Sequence, residues 1–169
     1  MRAVWAARYA SAGAALAVVI CLAYLSRVQF LAWQGSGQAK YLLPPYQSLG
    51  YFLYYVGVRM WAPYALSAAV AIIAYVAART VNRYKKGAIF EAEEPYFLAL
   101  GILLAGHPGW VAYIVIAMGA YFAFAGGRWL LRRRSERVSF YRFWLPSAAA
   151  TVLLEIMFRQ HPWYMSLLV

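Results

Sequence analysis

Apolar runs at about 6–26, 42–58, 61–78, 95–106, 109–131 and 143–158 succeed one another along the chain, and basic segments separate several of them. A run of roughly 20 apolar residues is what an α-helix needs to cross the hydrocarbon core of a bilayer. Hydrophobic residues make up 65% of the chain and charged residues 12%, against roughly 45–50% and 25% in soluble domains. A water-soluble globular protein is therefore excluded, and so is a disordered one. The chain has no Asp, which removes any chemistry that needs an aspartate, and Cys21 alone cannot form an intrachain disulfide. The expected fold class is all-α: a polytopic transmembrane helical bundle of six candidate spans, forming a single integral membrane domain over residues 1–169.

Charge sets the expected orientation. The net charge of +11 does not point to nucleic acid, because the sixteen Lys and Arg residues lie between apolar runs and not on one polar face. The loop 79–94 carries Arg79, Arg83, Lys85 and Lys86, and the loop 128–142 carries six arginines. The positive-inside rule puts both loops in the cytoplasm and the turn His107-Pro108-Gly109 outside. With six spans the Arg27 to Lys40 loop is inside, while the Arg59 junction and both termini are outside, giving twelve basic residues inside and four outside. Arg2 and Arg8 favour the cytoplasm, and if 42–58 only dips into the bilayer, five spans result with the N-terminus inside. Residues 1–26 have the basic start and apolar stretch of a signal peptide. No small-x-small cleavage site follows and no lipobox precedes Cys21, so they read as a retained anchor helix.

Runs 1 and 3 are rich in small residues, chiefly Ala, which lets helix backbones approach closely in lipid. Gln34 to Lys40 is the flexible linker, and Pro44-Pro45 sets up a helix beginning near Tyr46. The fourth run is too short to span, so it either extends back through Ile89 to Glu94 or forms a shallow hairpin with the fifth. The seven Trp residues, among them Trp5, Trp129, Trp144 and Trp163, fall near run ends, where indole rings anchor at headgroups.

Five glutamates are the whole acidic inventory. Glu91, Glu93 and Glu94 cluster before Pro95; such a cluster suits an acid/base pair or a cation site, or else caps a helix start and pairs with nearby Arg and Lys. Glu155 lies inside the last run, where an ionisable group is a functional candidate, with Arg159 one helical turn on as its ion-pair partner. His107 and His161 share a His-Pro context at the outer surface; as a metal pair they lack ligand spacing, and as helix terminators followed by Trp they need none. Gly126-Gly127 reads as a helix end, and Arg132, Arg133, Arg134 and Arg137 as contacts for anionic lipid headgroups or a partner. Nucleophile motifs and phosphate-cradling glycine loops are missing, and no cofactor is called for.

Leu98-Ala-Leu-Gly101 closes a leucine and alanine run on a glycine, and Val138-Ser-Phe-Tyr-Arg-Phe-Trp-Leu-Pro146 leaves a basic loop with a Phe-x-x-Phe pattern. In these segments and in the order of its runs the chain resembles the bacterial prepilin peptidases, six-span members of the glycine-x-glycine-aspartate class of intramembrane aspartyl proteases. The resemblance implies a bacterial-type inner (plasma) membrane and partners among the membrane proteins of a pilus or secretion assembly. Placing Gly101 on the family's glycine puts Glu93 where a catalytic aspartate belongs and Phe90-Glu91-Ala92 where the glycines belong. The family's other aspartate follows its first span, and Ser26-Arg-Val-Gln-Phe30 carries no acid. An aspartyl dyad works through two close carboxylates sharing a proton, and Glu93 is the one carboxylate offered here. The expected function is a non-catalytic scaffold or assembly factor on a prepilin-peptidase-like bundle. The alternatives are a transport or proton-handling subunit using Glu155 and the Glu91 to Glu94 cluster, and a membrane peptidase with Glu93 replacing Asp.

Overall fold

The structure, a computed structural model, describes residues 2–87, 89–132 and 140–158, with backbone alone at 2–3, 131–132, 141–142 and 158. Helix α1 (Arg2–Gly35) is 34 residues long. No proline interrupts it, and the whole stretch between Arg8 and Arg27 is uncharged. A 3₁₀ turn (Ala39–Leu42) leads to α2 (Leu49–Val56), which starts at Leu49, three residues after Tyr46.

Helix α2 continues through a π turn (Gly57–Trp61) into α3 (Ala62–Tyr84), so that Leu49–Tyr84 is one helix of 36 residues. The separate spans expected at 42–58 and 61–78 are therefore corrected to one element, and six spans become five apolar helices among the described residues. Proline in a helix interior has no N–H to give and crowds the carbonyl four residues back. Here Pro63 follows directly on the wider π turn, the kind of local adjustment that keeps proline in an apolar helix.

At the end of α3, Lys86 (φ 50°) and Gly87 (φ 79°) take left-handed conformations, and the Gly87 N–H donates to the Asn82 carbonyl at 2.8 Å. Helix α4 (Glu94–Ala105) starts at Glu94 and does not extend back through Ile89. Gly106, at φ 67°, turns it through His107 and Pro108 into α5 (Gly109–Arg132), so that α4 and α5 form a helical hairpin. Helix α5 passes through Gly126-Gly127 without ending, and α6 (Tyr141–Phe158) closes the described chain.

Helix α4 is apolar nearly all round because it is surrounded by α3, α5 and α6, with α1 along a further side. Its 12 residues rise only about 18 Å, short of the roughly 30 Å hydrocarbon core. Around it Ala71, Ile102, Ala105, Tyr113, Ala117, Trp144 and Ala148 form the main core. Trp144, 1% exposed, belongs to that core and is not an interfacial anchor, whereas Trp5 and Trp129 are exposed. A second core forms at the far end of α1, where Leu43, Phe52 and Val56 pack with Phe30, Trp33, Tyr55 and Trp61.

The outer faces carry Leu16, Ile20, Ile72, Ile73, Val115 and Phe122, all exposed. Monomeric soluble proteins rarely expose apolar surface on this scale. Val4–Gly35, Leu49–Tyr84 and Gly109–Leu130 are each long and apolar enough to cross a membrane, and α4 and α6 are shorter apolar helices.

Candidate functional site

The acidic turn before α4 is built from its own backbone. Glu94 is 1% exposed, and its Oε2 accepts the Glu91 N–H at 3.0 Å while its own N–H donates to the Glu91 carbonyl at 3.2 Å. This reciprocal closure resembles a capping box, in which a carboxylate reaches back to satisfy an orphan N–H. The Asn82 side chain clamps the same segment from α3, donating to the Phe90 carbonyl at 2.9 Å and accepting the Phe90 N–H at 3.0 Å. Glu93 is half-buried and Glu91 exposed. Among the described residues no three His, Cys, Asp or Glu side chains gather as a metal site would require.

Ser26, which lies within α1, is far from Glu93. Trp61 Nε1 donates to Ser26 Oγ at 3.1 Å, which sets Ser26 level with the start of α3. Glu93 follows the opposite end of that helix, and residues 61 to 84 rise about 35 Å. Ser26 and Glu93 thus lie at opposite ends of α3.

Glu155 packs into the bundle, its carboxylate against Gly109 at the first residue of α5, where negative charge meets the positive end of the helix macrodipole. The expected ion pair with Arg159 falls outside the described residues, as do His161, Arg133, Arg134 and Arg137 and the Arg132 side chain. His107 Nδ1 accepts a hydrogen bond from Trp110 Nε1 at 3.3 Å. Cys21 is a free thiol exposed on α1.

Sequence reasoning missed a cleft between α1, α3 and α4. Its larger part, about 730 Å³, is walled mainly by Ala15, Val19, Ala68 and Leu103. Arg8, Tyr75, Arg79 and Tyr96 stand at one end of it. A second cavity of about 410 Å³ continues from Tyr75, Arg79 and Tyr96 and adds Asn82, Arg83 and Lys86. Arg79 Nη1 donates to Tyr75 Oη at 2.8 Å, and the Tyr75 hydroxyl donates to the Tyr96 hydroxyl at 3.1 Å. The guanidinium of Arg8 lies over the Trp5 ring at 5.6 Å. The available signal was the isolated arginine near each end of two long uncharged helical runs, but only the fold shows that Arg8 and Arg79 line one cleft.

Comparison of the chain with protein-family profiles, with curated proteins and with solved structures finds no match.

Proposed function

We propose that this chain is a non-catalytic integral membrane protein, a scaffold or assembly factor, with five membrane helices and a cytoplasmic N-terminus. The placement follows from two levels of arginine. Arg8 and Arg79 meet around Tyr96 at one end of the cleft, and the contact between Ser26 and Trp61 brings Arg27 and Arg59 to a common level at the other. From Arg8 to Arg27, and from Arg59 to Arg79, each helix rises about 30 Å, the thickness of the hydrocarbon core. With the N-terminus inside, twelve of the sixteen basic residues fall on the cytoplasmic side, including the loops 79–94 and 128–142. The membrane is a bacterial-type inner membrane in this reading.

The observation that carries the non-catalytic reading is the separation of Glu93 from Ser26 in α1 by the length of α3. Glu94 is spent on its own turn, and the contact of Glu155 with Gly109 supports a capping role better than an ion path. Beyond the Arg27 and Arg59 level, Tyr41, Tyr46, Leu53 and Tyr54 are exposed around the second core. An aromatic surface of this kind suits contact with another membrane protein, such as one of a pilus or secretion assembly. The test is cleavage of a prepilin-type peptide substrate by membranes holding the wild type or Glu93→Gln. Neither is expected to cleave it; turnover that vanishes in the variant would establish a peptidase.

A further inference from the structure

The cleft between α1, α3 and α4 joins two chemically unlike halves. From Trp61 to Arg79 its α3 wall is about 27 Å long, and Ala65, Ala68 and Ala71 along its middle leave a groove between the helices. Beyond Arg79 it opens into the cavity holding Arg83 and Lys86. Among the described residues no carboxylate lines either half, and none forms an ion pair with Arg8 or Arg79. Cations at the end of α3 are favoured by its macrodipole. That explanation does not extend to Arg8, which comes from α1 and converges on the same point.

We propose that this cleft binds a lipid with a phosphate headgroup. The lipid's chain lies along the groove over Ala65, Ala68 and Ala71, and its phosphate sits among Arg8, Arg79, Arg83 and Lys86. An apolar groove at membrane depth has too few polar partners to hold ordered water, so hydrocarbon fills it. Four cations with no lining carboxylate then select an anionic head over a zwitterionic one, and Arg is the side chain best shaped for phosphate oxygens. The Tyr96 hydroxyl adds a donor at the same level. This inference is independent of the scaffold reading, since a peptidase or transporter with this fold would hold the same cleft.

The experiment is native mass spectrometry of the full chain, purified in detergent, stripped of lipid and titrated with phosphatidylglycerol, phosphatidylcholine or inorganic phosphate. Phosphatidylglycerol is expected to be retained about tenfold better than phosphatidylcholine. Inorganic phosphate at millimolar concentration is expected neither to bind nor to displace it. Arg8→Gln/Arg79→Gln, at two exposed positions, should bring phosphatidylglycerol down to the phosphatidylcholine level. Ala68→Phe, which fills the groove, should reduce retention of both lipids. Equal retention of the two lipids by the wild type would overturn the proposal. Displacement by inorganic phosphate would show a site for free anion, and undiminished phosphatidylglycerol binding by the arginine variant would place the lipid elsewhere; either also overturns it.

Discussion

One absent methyl group decides how closely α4 and α5 approach. A Cβ on Gly101 would overlap the ring of Tyr113, which is fully buried and whose hydroxyl donates to the Phe97 carbonyl at 3.4 Å. The ring has no room to turn aside in a core packed like this one. Gly101→Ala is therefore expected to destabilise the protein by about 1–3 kcal/mol, seen as a lower melting temperature in detergent. Trimming the ring in Gly101→Ala/Tyr113→Leu should recover part of the loss. An unchanged melting temperature in the single variant would mean that the two helices do not touch there. The sequence marks Gly101 as the close of a leucine and alanine run but is silent about which ring it receives. The same is true of the arginines: Arg8 and Arg79 are ordinary topology signals until folding sets them at the same end of one cleft. Carboxylates mislead in the opposite way, since Glu91, Glu93 and Glu94 look like a cluster because they are neighbours in the chain. In space Glu94 turns inward onto its own backbone while Glu91 stays exposed.

Among the elements, the helical runs are legible because hydropathy and length decide them, and their ends are less so because polar contacts decide those. The break expected between 58 and 61 is bridged by a π turn, a local remedy for Pro63 that hydropathy does not register. The start of α4 depends on a clamp from another helix. Asn82 makes two hydrogen bonds to Phe90, and Phe90 packs on the main core. Asn82→Ala should free the segment around Phe90 from α3 while leaving helix content unchanged. The check is limited trypsin digestion: cleavage after Lys85 or Lys86 is expected to speed up several-fold, by the cost of roughly 1 kcal/mol typical of a lost hydrogen bond. Equal digestion rates would show that the clamp does not hold the loop.

For the molecule as a whole, the merging of two runs into one helix changes which side each loop faces. With six spans, the loops around Gln38 and Lys85 would share the cytoplasm; with five helices they lie on opposite sides. Single cysteines at Gln38 and Lys85 in a Cys21→Ser background distinguish the two by labelling with a membrane-impermeant maleimide. Gln38→Cys should react in intact cells and Lys85→Cys only after the membrane is opened, and reaction of both under the same condition would rule out the five-helix arrangement. The π turn at Gly57–Trp61 has a further consequence at this scale. It holds about one residue more than a regular turn, and each residue of an α-helix turns the chain by about 100°. The second core and the main core are therefore coupled like two gears on one shaft, whose relative phase changes in steps of a single residue. Insertion or deletion of one codon in this turn would re-aim the α2 face of the second core relative to α3.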